Sequence, residues 1–257
     1  MLSFHRFWTV ALGALFLCLL GGAAEAQTPL RVLTSAQTAP KTYIENDRPA
    51  GYLVEITAEA LRRAGYVAEI EALPWARAVA QAEAGDGVVT GFSRTPERDA
   101  LFDYSDAVYD DRVVLVTRRG ADFPFESLAD LAGHSVGIQR GSAYGPALEA
   151  VLDRFHVVRD NGHCERIKML DAGRIDAAIV SGGVAAVLFN AAAAGIDPRD
   201  LMIHSVPVAI DPNYIAISKS RPDGHGILRR INTALAEMAQ DGTTRRLIAA
   251  YEAGAGL

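Results

Sequence analysis

The chain has 257 residues, with 25 Lys and Arg against 31 Asp and Glu and a formal net charge of −6. An acidic chain without a Lys/Arg cluster is a poor nucleic-acid binder, which sets that partner class aside. Beyond the leader the length is ample for a core, as one large domain or two small ones, and the fold depends on that core because a single cysteine remains there.

Residues 1–26 read as an export signal. Arg6 precedes the apolar run 10–20, and Ala24 and Ala26 flank Glu25 in an A-x-A pattern, so cleavage is expected after Ala26 and the mature protein in the periplasm. A retained anchor is the weaker alternative, since the run is short for a membrane span and gives way to Gly21-Gly22. Cys18 has apolar neighbours on both sides, unlike a lipoprotein cysteine, and leaves with the leader. Cys164 then stands alone and no internal disulfide can form.

Strand-like and helix-like segments alternate through the rest of the chain, the pattern of an α/β protein with largely parallel strands, in two sheets rather than one. Strands are expected at 31–34, 67–73, 87–91, 112–117, 135–139, 156–159, 175–180, 202–206 and 214–218. The first helix is predicted over 53–64, where Leu53, Ile56, Ala60, Leu61 and Ala64 form an apolar stripe and Gly65 supplies the stop. A second covers 75–84 and stops at Gly85, and the chain closes with helices over 224–240 and 243–253, broken at Asp241-Gly242. Extended segments around 109–117 and 206–218 are the candidate crossovers. With the chain crossing there, residues 27–112 and 212–257 form one lobe and 113–211 the other, and two connecting strands can hinge about a cleft.

Ligands of open α/β sheets bind at the carboxyl ends of strands, where a loop turns into a helix and offers N–H groups. Three such junctions stand out. In 90–98, Pro96 suits the first turn of a short helix and Ser93 or Thr95 can cap it. Arg98 then lies where a guanidinium can take a carboxylate through two parallel hydrogen bonds. The alternative is a surface ion pair of Arg98 with Glu97, Asp99 or Asp103. In 137–144, the amides of Ser142 and Ala143 can hold an anion at a helix start, or the segment is an ordinary βα turn. The third junction, 179–183 with Ser181-Gly182-Gly183, has the same geometry and weaker chemistry.

Taken together, Leu73-Pro74-Trp75, Arg98-Asp99-Ala100-Leu101-Phe102-Asp103-Tyr104-Ser105, Tyr109-Asp110-Asp111-Arg112, Leu128-Ala129-Asp130-Leu131-Ala132-Gly133, residues 136–142, Ala172-Gly173-Arg174-Ile175-Asp176 and Asp241-Gly242-Thr243 resemble the family 3 bacterial extracellular solute-binding proteins, the receptors of amino-acid ABC importers. The resemblance runs over essentially all of the chain after the leader. It implies the two-lobed periplasmic binding protein fold of type II with a discontinuous first lobe, a monomer that needs no cofactor, a small carboxylate-bearing ligand, and an inner-membrane permease as partner. It also implies a site. Arg98 would clamp the ligand carboxylate with help from the Ser93 amide, while Ser93 and the Gly91 carbonyl receive an ammonium. Trp75 would form an aromatic wall, and Ser142 and Ala143 would add a carboxylate contact from the second lobe. Members commonly carry an ammonium-binding aspartate where this chain has Ser181. Either Glu45, Asp47, Asp211 or another carboxylate substitutes, or the ligand has no α-ammonium. Lys41, in the segment matching the family's aromatic entrance, admits a second acidic group on the ligand, or is solvated as loop lysines usually are.

An enzyme is the main rival, because some relatives in this family are dehydratases acting on cyclic carboxylates. Ser181 removes the obvious general acid, so catalysis is not expected. Residues 91–95 also lack the second glycine of a G-x-S-x-G elbow. No metal site is expected: His134, His156, His163, His204 and His225 are scattered and read as surface or half-buried, and neighbours such as His163 and Cys164 point to different faces of a helix. A sensor docking on a separate membrane receptor stays open as a third role.

Overall fold

The computed structural model describes residues 28–254; the leader, its cleavage point and Cys18 lie outside the described residues. The chain runs through β1 (Thr28–Ser35), β2 (Gln37–Thr38), β3 (Thr42–Glu45), β4 (Arg48–Ala50), α1 (Tyr52–Arg63), β5 (Tyr66–Leu73), α2 (Trp75–Glu83), β6 (Val88–Phe92), α3 (Pro96–Asp99) and β7 (Phe102–Tyr104). It crosses on β8 (Tyr109–Arg118) to β9 (Ser135–Gln139), α4 (Pro146–Glu149), β10 (His156–Asp160), α5 (His163–Asp171), β11 (Ala177–Val180) and α6 (Gly183–Ala194). It then returns on β12 (Leu201–Ser218) to α7 (Gly224–Gln240) and α8 (Thr243–Gly254). No helix among the described residues is long and apolar enough to cross a membrane.

The expectation of two separate sheets is corrected by the strand order, which is continuous: β10-β9-β11-β8-β12-β6-β1-β5, with β7 also on β12. The reason lies in β12. The strands expected at 202–206 and 214–218 are one strand of 18 residues, whose first part pairs with β8 and whose last part pairs with β6. Pro207 and Pro212 fall between the two expected pieces; the ladder shifts register on either side of Pro207, whereas Pro212 pairs in register with Asp110. Outside the antiparallel β8, β12 and β7 the pairing is parallel, as in β1 with β5 and β6, or β9 with β10 and β11. A small antiparallel sheet, β2-β3-β4, stands apart and was not legible in segments so short.

Each half of the large sheet is buried on both faces, which explains the nearly unbroken apolar runs of its strands. In the first lobe Val32, Val88, Ile215 and Ile217 pack under α1 and α7, while Leu33, Val89, Phe92 and Ala216 meet α2 on the other face. The second lobe repeats the arrangement, with Leu115, Val136, Ile138 and Ile179 on one side and Val114, Val116, Ala178 and Val180 against α5 and α6 on the other. The predicted stripe of α1 is buried as expected, with Leu53, Ile56, Ala60 and Leu61 at 0% exposure.

One charged pair lies inside the second lobe. Arg166 on α5 is fully buried and donates to both oxygens of Asp160, at 2.7 Å each, and to the Ile179 carbonyl. Helix α5 and strands β10 and β11 are thereby tied at one point. Removing one partner strands the other charge in the core, so Arg166→Met is expected to cost about 3–5 kcal/mol in urea unfolding. The double change with Asp160→Leu should recover most of that loss; a single variant as stable as the parent would show that the pair does not hold this lobe together.

Candidate functional site

Between the lobes the strand ends and the two crossovers line a polar cavity with room of about 30 Å³, enough for one or two waters. Gly91, Ser93, Trp75, Ser142, Ala143 and Ser181 all lie on its wall. Arg98 does not. Its half-buried guanidinium lies over the Phe92 ring, 4.1 Å from the centroid, and donates to the carbonyls of Ser93 and Gly141, both at 2.8 Å. The surface pairing of Arg98 with Glu97, Asp99 or Asp103 is not formed, and Asp99 instead takes Arg94 at 3.1 Å.

The first junction owes its shape to Gly91. Phe92 pairs with Tyr214 but Thr90 with Ile215, so Gly91 is an extra residue bulged out of β6, in the left-handed region at φ 74°. The bulge ends the regular ladder at the cavity and delivers Ser93 to it. Thr95, not Ser93, caps α3, accepting from the Arg98 amide, and Pro96 occupies the first turn. Ser93 donates instead to Asp211 Oδ2 at 2.6 Å.

The other two junctions differ from expectation in where their amides go. Ser142 does not start a helix: its amide donates to the Gln139 carbonyl in a turn, and α4 begins only at Pro146. Gly141, at φ 77°, makes that turn, and a Cβ there would meet Ala76 at the start of α2 at 3.2–3.3 Å. The same close approach lets Trp75 Nε1 donate to the Gly141 carbonyl at 3.0 Å. At the third junction Gly182 caps α6, and its amide is spent on Asp111 Oδ1 at 2.6 Å.

The charged centre of the cavity comes from the crossovers and was only partly legible in the sequence. Asp111 on β8 and Asp211 on β12 are direct partners in the ladder, 1% and 6% exposed. Lys41, 8% exposed rather than solvated, reaches between the lobes to Asp111 Oδ2 at 2.7 Å, Asn213 Oδ1 at 3.3 Å and Ser181 Oγ at 3.5 Å. His163, expected at or near the surface, is 0% exposed and shares a 3.2 Å hydrogen bond with Ser181 of the cavity wall. Burial and the neighbouring Arg166 and Lys41 hold its pKa well below the usual imidazole value, so it is neutral. Thr34 Oγ1 is buried on the wall without a hydrogen-bond partner among the described residues.

Asp211 has no such cation. Desolvation pushes its carboxyl up from 3.8 to about 6, with Asp111 adding to the rise and the Ser93 hydroxyl, Lys41 and Arg98 opposing it. A carboxyl whose folded pKa is raised favours folding fully below its unfolded value and loses that contribution as pH rises through the folded value. Asp211→Asn, which cannot ionise, is therefore expected to be more stable than the parent by about 1–3 kcal/mol above pH 7 and no more stable near pH 4. Urea unfolding of both proteins at pH 8 and pH 4 checks this, and a variant less stable at pH 8 would show that the fold already compensates the charge.

The family described as bacterial extracellular solute-binding proteins, family 3, matches residues 30–254. The arginine-binding extracellular protein ArtP of Bacillus subtilis (strain 168) is 26% identical over 230 residues, 88% of this chain and 87% of ArtP. The L-cystine-binding protein TcyJ of Escherichia coli (strain K12) is 22% identical over 205 residues, 79% of this chain and 74% of TcyJ. The solved structure of an ancestral arginine-binding protein bound to arginine superimposes with a TM-score of 0.75 at 25% identity, covering 88% of this chain and 99% of that one. With this match over nearly the whole described length, and with a two-lobed fold around a polar cavity, the chain belongs to the family 3 bacterial extracellular solute-binding proteins.

Proposed function

We propose that the protein is the exported receptor of an amino-acid ABC importer, a monomer that closes its lobes around a small carboxylate-bearing ligand in the periplasm and delivers it to a separate inner-membrane permease. The observation that carries this reading is the cavity, walled by both lobes and floored by the two crossover strands. With room of only about 30 Å³ between the lobes as they stand, capture on this reading has the lobes part about β8 and β12 and then close again. The relatives' names, which are those of binding proteins, support binding rather than catalysis.

On this reading Arg98 has two uses. It reaches from the first lobe to the Gly141 carbonyl of the second, and it donates to the carbonyl of Ser93, a residue of the cavity wall. A ligand carboxylate arriving beside Ser93 would exchange one or both carbonyl contacts for a charge-assisted pair, with Trp75 packed alongside and Ser142 and Ala143 closing from the second lobe.

Thermal unfolding of the mature protein against L-amino acids, dicarboxylates, keto acids and polyamines tests the receptor directly. A ligand at 100 times its dissociation constant adds about 2.7 kcal/mol to the folded state, a rise of several degrees for a chain of this size. Arg98→Ala is expected to weaken the responding ligand at least tenfold while leaving the ligand-free melting curve cooperative. Unchanged affinity would move the site away from the first junction, and silence of the parent protein across the panel would count against the receptor itself.

A further inference from the structure

The centre of the cavity holds two carboxylates and one fully engaged ammonium. Asp111 is satisfied: Lys41 pairs with Oδ2 at 2.7 Å and the Gly182 amide donates to Oδ1 at 2.6 Å. Asp211 faces it across the strand pair with only neutral partners, the Ser93 hydroxyl at 2.6 Å and the Asn213 amide at 3.4 Å, both on Oδ2. Among the described residues its Oδ1 has no hydrogen-bond partner, and the residue lines the cavity. Glu45 and Asp47, the other carboxylates considered for an amine, are exposed on the hairpin of β3 and β4 and stand outside the wall. The Ser181 hydroxyl is taken up by Lys41 and His163.

We propose that Asp211 is the acceptor for the α-ammonium of a zwitterionic ligand, with the Ser93 hydroxyl and Gly91 beside it, and that Lys41 and Asp111 form a permanent internal pair filling the space in front of Ser181. This rests on the receptor reading and names the ligand class that such a receptor takes. The charges then close. Lys41 cancels Asp111, the ligand ammonium cancels Asp211, and Arg98 remains for the ligand carboxylate, with the unpartnered Thr34 hydroxyl inside the same cavity. A carboxylate without an amine leaves Asp211 unpaired and brings a second anion near it, which a buried site resists. The elevated carboxyl of Asp211 fits the same picture, because it is what a buried acid shows before its cation arrives.

Calorimetric titration with matched pairs decides the matter: L-arginine against 5-guanidinopentanoate, L-glutamine against glutaramate, and the other amino acids against their des-amino acids. The expected result is an amino acid bound at least tenfold more tightly than its des-amino partner. Asp211→Asn should abolish that preference, weakening the amino acid at least tenfold and the des-amino acid by less than twofold. A parent protein that binds des-amino acids as well as amino acids would overturn the role of Asp211 and leave the receptor standing. So would an Asp211→Asn protein that loses both ligands alike, since Asp211 would then be shaping the cavity and not holding an amine. Absence of binding by every compound would remove the receptor reading and this inference with it.

The parent protein supplies a second readout should the variant fold poorly. Asp211 must be ionised to hold an ammonium, and the charged or titratable groups acting on it are Lys41, Asp111 and Arg98, with neutral His163 beyond Ser181. With its carboxyl near 6, amino-acid affinity should fall about tenfold from pH 7.5 to pH 5 while des-amino affinity does not fall. An equal fall in both ligands would count against the assignment.

Discussion

The antiparallel pairing of β8 with β12 is the constraint on which the rest of the molecule depends. It joins two sheet halves into one ladder, it carries the chain out to the second lobe and back, and it fixes which residues meet on the floor of the cleft. That register puts Asp111 opposite Asp211 and Tyr109 opposite Asn213. Like charges directly opposite in a ladder are unfavourable, more so when water is excluded. The chain answers half of that cost with Lys41, brought from the loop between β2 and β3. Asp211 has no such partner, and its carboxyl is raised, chiefly by burial and further by Asp111. A protein selected for stability alone would place an amide there, and the charge kept at that position is the kind of cost that binding sites carry.

Away from the floor each lobe has packed clusters of its own. Both faces of both sheet halves are covered, and the second lobe, with shorter helices, adds the buried pair of Arg166 and Asp160. In the proposed receptor, hinge motion would fall on the crossovers, whose ladder is already irregular around Pro207.

The parts of this fold that were legible in the sequence are those set by local periodicity. The limits of β9 and α7 agree with the strand expected at 135–139 and the helix at 224–240, and the cap and stop residues of α1 and α3 act where their chemistry places them. Reading failed where tertiary pairing overrides local pattern. The prolines of β12 hid a single long strand, and β2, β3 and β4 are too short to show a period. The site divides the same way. Glycine turns at strand ends marked five residues of the cavity wall, Gly91, Ser93, Ser142, Ala143 and Ser181, and the family resemblance added Trp75, whereas Lys41 looked like a solvated loop lysine because its partner lies 70 residues away. Asp111 carried no local signal at all; its meaning appears only when the two crossovers are laid side by side.

The proposed receptor needs a seam between the lobes that can open, and the contacts across it are few and mostly polar. Arg98 and Trp75 donate to the Gly141 carbonyl, Gln139 to Ser35 at 3.3 Å, and Asn190 to the Ala39 carbonyl at 2.7 Å, while Tyr43 packs on Phe189 at 5.3 Å between ring centroids. Polar contacts of this kind exchange with water on opening and contribute about 0.5–1.5 kcal/mol each in net terms. In the proposed receptor a few of them would bias the hinge without locking it, in the range where a ligand that prefers one arrangement by about 5.5 kcal/mol can move the population from nearly all open to nearly all closed. Arg98 links the two events in the proposed receptor. The same guanidinium that ties the lobes through Gly141 is the cation offered to the ligand carboxylate, so ligand binding and lobe closure draw on one group. Asp211 contributes the opposite charge from the hinge strand itself, and a zwitterion spanning the two would be in contact with the moving lobe edge and the hinge at once.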